Sequence, residues 1–243
     1  MKYNVEDVME IVADMLGANA TGIYTDHVAL SSHLEMIEFV MLTNLEKPWE
    51  LTDSKNVKVA CGMSKVVLIP EYEDYVIKIP FTGCYQENYD EDTGETSYEQ
   101  VCDCNWDYCD IEAANYENAT SDLKEYLAET QFVGLYNNIP IYVQEKIKCS
   151  ESDSNECDRT TYLDNEIDYI TDQWYCSDFC VVFLKKILNK IGLQRTLSLL
   201  SEINESFDDI HDANYGYRFD GSPVIFDYSG YDECTWEWRK EVV

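Results

Sequence analysis

The chain has 243 residues, with 48 Asp and Glu against 17 Lys and Arg, a formal net charge of -31 and a pI near 4.1. That excess excludes an ordinary phosphate-backbone binder, which needs a basic face to displace counterions, so no direct nucleic-acid binding is expected. A hydrophobic fraction of 45% with 13% aromatic residues excludes an acidic disordered segment and predicts one large or two small folded domains.

No run reaches the roughly 18 apolar residues of a membrane span, since Phe179 to Leu184 stops at Lys185 and Lys186. The start, Met1-Lys2-Tyr3-Asn4-Val5-Glu6-Asp7, carries acids where a signal peptide has a basic end and an apolar core. The expectation is a cytoplasmic protein without membrane association, its ten Cys reduced.

Val5, Val8, Met9, Ile11, Val12, Met15 and Leu16 recur at helical spacing before Gly17, which predicts a helix over 4–16. A second helix is predicted over 32–44, with Leu34, Ile37, Val40, Met41 and Leu45 inward, and the two make a helical extension over 1–50. The period then changes. Val57 to Ala60, Val66 to Pro70 and Tyr75 to Ile79 read as strands of an antiparallel meander around Cys61-Gly62.

Residues 82–110 carry Glu87, Asp90, Glu91, Asp92, Glu95, Glu99, Asp103, Asp107 and Asp110 with no Lys or Arg, and read as an insertion or long loop. Helices are predicted at 111–119 and 121–129. Strands follow at Gln131 to Tyr136 and Pro140 to Ile147, joined by Asn137-Asn138 in a tight hairpin. A polar linker over 149–160, helices over roughly 163–205, and a hairpin of Tyr215 to Arg218 with Pro223 to Asp227 about Asp220-Gly221 complete the chain.

The segment Asp209-Ile210-His211-Asp212-Ala213-Asn214, with Asp227-Tyr228-Ser229-Gly230 after it, resembles the catalytic core of the protein-kinase-like superfamily, small phage and bacterial members included. Asp209 through Asn214 resembles the D-L-x-x-x-N of the catalytic loop, and Asp227 the metal-binding aspartate of D-F-G. The separations, 5 positions from Asp209 to Asn214 and 13 from there to Asp227, agree with the family. Upstream, Gly62-Met63-Ser64-Lys65-Val66-Val67 followed by Tyr75-Val76-Ile77-Lys78 resembles a glycine-turn hairpin leading to the V-A-I-K strand. The turn has one glycine where the family motif has three.

The resemblance spans about 57–230 and implies an α+β, two-lobed fold. Its small antiparallel-sheet lobe would cover 51–148, and a reduced helical lobe 149–243. It implies that ATP is bound with Mg²⁺. Gly62, Ser64, Lys78, Gln144 and Glu145 would contact the nucleotide, Glu112 (or else Glu117) would pair with Lys78, and Asn214 and Asp227 would hold the metal. Asp209 would orient an acceptor hydroxyl. Phe207 and Asp208 stand where the family has His and a basic residue, and the 16 residues after Asp227 are too few for an activation segment and peptide-binding platform. Two functions follow as expectations: a minimal phosphotransferase, or else a catalytically inactive pseudokinase or an acidic interaction protein that presents a DNA-like charge surface to a basic partner.

Plainer readings stand beside these. Lys78 is otherwise an exposed strand-edge residue, and Asp209, Asn214 and Asp227 are otherwise caps or turn formers. Cys102-x-Cys104-x₄-Cys109, with Cys84, offers thiolates to Zn²⁺ but lacks paired C-x-x-C spacing, so ordinary thiols are preferred. Cys176 and Cys180 read as core, His27 and His33 have no evident partner, His211 fills a variable motif position, and Trp236 and Trp238 seal a core end.

Overall fold

The computed structural model describes residues 1–17, 22–24, 41–43, 51–61, 65–80, 83–89, 93–94, 96–103, 108–149, 194–195, 198–199 and 214–229. Residues 150–160 of the linker, nearly all of 163–205, residues 209–213 of the catalytic-type loop, Cys104, Cys176, Cys180, the three His and Trp236 and Trp238 lie outside the described residues. The fold is mixed helix and antiparallel sheet, α+β as expected. The chain divides into two compact units, Met1–Glu117 with Thr130–Glu145, and Asn118–Glu129 with Lys146–Val243.

In unit 1, α1 (Val5–Leu16) starts at Asn4, whose side-chain oxygen accepts from Glu6 N at 2.9 Å, and stops at Gly17, which has φ 74 and donates to Ala13 O. Glu6 and Asp7 in its first turn suit the positive end of the helix dipole. The meander is present as β3 (Val57–Cys61), β4 (Lys65–Pro70) and β5 (Tyr75–Pro80). The later hairpin is β8 (Thr130–Tyr136) and β9 (Ile139–Glu145). Asn137 and Asn138 take φ 47 and 67, the left-handed pair that a two-residue hairpin turn of right-twisting strands requires. The five strands form one antiparallel sheet in the order β3-β4-β5-β9-β8, so β9 is placed directly beside β5.

Strand alternation gives this sheet two distinct faces. Val57, Val66, Leu68, Tyr75, Ile77, Ile79, Ile139, Ile141 and Val143 form the main core with Val8 and Val12 of α1. Each fully buried aliphatic side chain here contributes about 1.5–3 kcal/mol. Tyr3 and Tyr136 fasten the helix ends, donating to Gln131 Oε1 and to Gly17 O. Burial, with Glu73 and Asp7 nearby, pushes the Tyr75 hydroxyl up to about 12. The opposite face carries Tyr142, which packs with Cys109 and Ala113 of α2 (Tyr108–Asn118). Glu117 near the end of α2 is exposed.

Three expectations are corrected. Met41–Thr43 is not the end of a helix but strand β2, pairing antiparallel with β1 (Gly22–Tyr24); the rest of 32–40 lies outside the described residues. A short apolar run fits either period, and here a distant partner decided it. The acidic block is not simply a loop. It holds an antiparallel ribbon of β6 (Gly83–Tyr89) and β7 (Thr96–Asp103), with Cys84 opposite Cys102. The predicted helix over 121–129 is a single turn, α3 (Ser121–Lys124), capped by Thr120. Beyond it the backbone extends, because Tyr126 O accepts from Ile225 N and Ala128 N donates to Ile225 O, both at 2.8 Å.

In unit 2, β10 (Lys148–Cys149), β11 (Tyr215–Tyr217) and β12 (Pro223–Ile225) form a three-stranded antiparallel sheet, and Leu127 makes a parallel bridge to Ile225. The predicted hairpin is therefore present with an additional strand from Lys148 and Cys149. Its turn is held by Asp220, whose carboxylate accepts from Ser222 N at 2.9 Å and Ser222 Oγ at 2.6 Å; those bonds hold the carboxyl below its ordinary range. Arg218 donates to Glu125 O and Leu127 O at 2.7 and 2.8 Å, clamping the hairpin onto the segment after α3. Among the described residues no helix is long and apolar enough to cross a membrane.

Candidate functional site

Lys78 lies on β5 facing α2, on the side of the sheet away from α1. Its cross-strand partner is Val67, so Lys65, two residues before Val67, stands on that same face. Helix α2 sends Glu112 between them. Glu112 Oε2 accepts from Lys78 Nζ at 2.7 Å, and Oε1 accepts from Lys65 Nζ at 2.7 Å. The three residues are 3%, 5% and 0% exposed for Lys78, Lys65 and Glu112, so the ion pairs are shielded from solvent. Charges this deeply placed require partners, because desolvation penalises an isolated ion heavily. Among the candidate glutamates of α2, Glu112 is buried and pairs with Lys78; the exposed Glu117 does not have that environment. The plainer reading of Lys78 as an exposed edge residue is excluded by its burial.

Beside the lysines the same face is apolar and partly open. Ala60 is exposed, and Val67 and Val76 are half-buried; Ala60 stands opposite Val67, and Val67 opposite Lys78. Gln144, opposite Val76 on β9, is 1% exposed and donates from Nε2 to Thr130 Oγ1 at 2.8 Å. Its side-chain amide is thus committed to a neighbouring strand. Glu145, the last residue of β9, is half-buried. Gly62 and Ser64 lie outside the described residues, as does Asp209.

The other described candidates belong to unit 2. Asn214 immediately precedes β11, is buried, and its carbonyl oxygen accepts from Phe226 N at 2.9 Å, extending the β11–β12 ladder by one step. Asp227 follows Phe226 directly and is half-buried. Tyr228, the next residue, donates from its hydroxyl to Ala128 O at 2.6 Å within the buried interior of the unit. Asp227 is therefore bracketed by two anchored neighbours, which fixes the course of the backbone that presents its carboxylate. Asn214 stands opposite Phe226 at the base of the β11–β12 hairpin, and Asp227 is the next residue along that strand.

An amide oxygen and a carboxylate are hard ligands of the type Mg²⁺ selects, with phosphate oxygens and water completing its shell, so this pair fits that ion in chemistry. Among the described residues no group of three or more His, Cys, Asp or Glu is gathered for a metal. Of the cysteines considered for zinc, Cys109 is buried against Ala113 and Tyr142, an apolar setting, and Cys84 and Cys102 are backbone register partners in the ribbon.

Lys65 was missed from the sequence, although a signal existed. With Val66 and Leu68 in the core, alternation places Lys65 on the face of Val67, and a three-strand meander places Lys78 on that face as well. Comparison with protein-family models, with curated proteins and with solved structures gives no match.

Proposed function

We propose that this protein is a minimal kinase-like phosphotransferase that binds Mg-ATP and passes the γ-phosphoryl group to a hydroxyl acceptor. The observation that carries this is the buried pair between Lys78 on β5 and Glu112 on α2. A lysine in the third strand of a meander, paired to a helix glutamate, with two more strands following, is the order of parts that the sequence motifs imply. Two further features support it: the open apolar strip of Ala60, Val67 and Val76 beside Lys78 offers a flat surface to a base, and Asn214 and Asp227 share one hairpin base.

In this function Lys78 holds phosphate oxygens while Glu112 keeps its ammonium in place. Asn214 and Asp227 would hold Mg²⁺, which when bound would supply positive charge against the phosphates. The acceptor oxygen attacks the γ-phosphorus, the bond to the β–γ bridging oxygen breaks, and ADP leaves. Asp209 takes the proton of the acceptor hydroxyl. The net charge of -31 repels a free nucleotide, so ATP approaches as its Mg²⁺ complex, and a basic or neutral acceptor is favoured over an acidic one.

A second function keeps the nucleotide site and drops transfer, with the acidic surface binding a basic protein. The ribbon β6–β7 favours it, since Glu87, Glu99 and Asp103 lie on its two paired strands. Calorimetry with Mg²⁺ and a nonhydrolysable ATP analogue tests the common premise: binding by the wild type and its weakening in Lys78→Met are expected, and no binding by the wild type at millimolar nucleotide refutes it. Label transfer from ATP that is lost in Asp209→Ala separates the first function from the second.

A further inference from the structure

We propose that Cys84 and Cys102 form a reversible disulfide that closes the base of the β6–β7 ribbon. The two are register partners in this antiparallel pair, and among the described residues no other strand pairing sets cysteine opposite cysteine. Directly paired positions of an antiparallel ladder share a face, with Cα atoms about 5.5 Å apart where they exchange hydrogen bonds and about 4.5 Å apart where they do not. A disulfide takes Cα separations of about 4.4–6.8 Å, so either case is within its reach. Cβ atoms of such pairs lie about 4.5–5.5 Å apart and must approach to about 3.5–4.5 Å, which a small change of local twist supplies. Among the described residues β6 and β7 pair with no third strand, and the register shifts directly after Cys84, where Tyr85 pairs with Gln100 and Val101 is the extra residue. A two-stranded ribbon twists more freely than a wide sheet, and a bulge adds to the twist beside it.

The oxidant is a low-molecular-weight disulfide. The thiolate of one cysteine attacks one of its sulfurs and releases a small thiolate; the thiolate of the other cysteine then attacks the protein sulfur of the mixed disulfide and releases the second. The two protein thiols give up two electrons and two protons, and the small disulfide is reduced to two thiols. Cys109 takes no part, because it is 0% exposed and packed against Ala113 and Tyr142, where an oxidant does not reach. The expectation that all ten Cys stay reduced gives way at this one pair. Its place in the chain gives the bond a consequence. Cys84 lies six residues after Lys78, and Cys102 ten before Glu112. The disulfide therefore fastens the chain that leaves β5 to the chain that enters α2, the two elements of unit 1 that carry the ion pair. It also removes freedom from residues 85–101 in the unfolded chain, the main source of a disulfide's stabilisation in the chain-entropy account.

The test uses the full wild-type chain, purified under reductant, freed of it and exposed to hydroxyethyl disulfide, an uncharged probe that the acidic chain does not repel. Remaining thiols are alkylated, and unreduced peptides are read by mass spectrometry. The peptides that contain Cys84 and Cys102 are expected joined, two hydrogens lighter than their sum, and the link is expected to form about tenfold faster or more in the native protein than in urea. Oxidation is expected to raise Tm by about 5 °C or more, a rise that dithiothreitol reverses and that Cys84→Ser and Cys102→Ser do not show. Recovery of Cys84 and Cys102 on separate peptides, alkylated or as mixed disulfides, overturns the proposal. So does a native-state distribution of links among the cysteines equal to that formed in urea, the mark of chance pairing. A link without a rise in Tm overturns the fastening of unit 1.

Discussion

Glu112→Gln removes the one charge that two buried ammonium groups share, while changing shape very little. At 2.7 Å and an effective dielectric of about 20, each Lys–Glu pair has a gross attraction of about 6 kcal/mol. Repulsion between the two ammoniums and the desolvation of three ions oppose it, so the measurable loss on removing the carboxylate is expected at about 3–5 kcal/mol. Glutamine can accept from one lysine, but its NH₂ then points a donor at the other. For a chain of this size that loss corresponds to a fall of roughly 6–20 °C in Tm. Urea denaturation followed by far-ultraviolet circular dichroism measures it, and the loss belongs to the transition of unit 1, where all three residues lie. The apolar triple variant Lys65→Met, Lys78→Met, Glu112→Leu removes every charge together and is expected to be within about 1 kcal/mol of wild type or more stable. A loss below about 1 kcal/mol in Glu112→Gln, or a triple variant as unstable as the single one, refutes a buried three-membered ion cluster.

Three other variants test the framework around the site. A Cβ at Gly216 would fall within the contact distance of the Lys148 carbonyl oxygen and close to Ile147, so Gly216→Ala is expected to cost more than about 2 kcal/mol and to raise hydrogen exchange in β10 and β11. Asn138→Gly is expected to be neutral or stabilising by up to about 1 kcal/mol, and Asn138→Val clearly destabilising, in thermal melts, because φ 67 suits glycine and strains a β-branched residue. The Tyr75 hydroxyl is raised to about 12, above the 10.0 of an unfolded chain, so between those values the unfolded state holds fewer protons and stability falls as pH rises. Tyr75→Phe should flatten that alkaline decline in denaturation midpoints measured from pH 9 to 12; an unchanged slope would assign the decline to other groups.

The elements read most accurately from the chain are those whose evidence is local. Gly17 ends α1 because it alone tolerates φ 74 without cost, and Asn137-Asn138 closes the β8–β9 hairpin because asparagine accepts positive φ. The meander followed from alternation of Val66, Leu68, Ile77 and Ile79 with polar or half-exposed neighbours. Met41–Thr43 and residues 125–129 were misread for the opposite reason. Their conformations are set by pairing with Gly22–Tyr24 and with Ile225, partners that no local window contains.

The candidate site divides along the same line. Residue order and spacing named Lys78, Asn214 and Asp227, since a hairpin of known length brings Asn214 and Asp227 to one base and strand alternation orients Lys78. Choosing Glu112 from 48 acids was different: five residues separate it from Glu117, about 140° around the helix, and composition is the same at both. The packing of α2 on the sheet buries the first and leaves the second in water. That packing also gave Lys65 its place beside Lys78, because a carboxylate removed from solvent gathers whatever cations the register of β4 and β5 puts within reach. Conformation and facing are local properties of a chain, whereas burial, and with it the strength of a charge, arises only when separate elements close over one another.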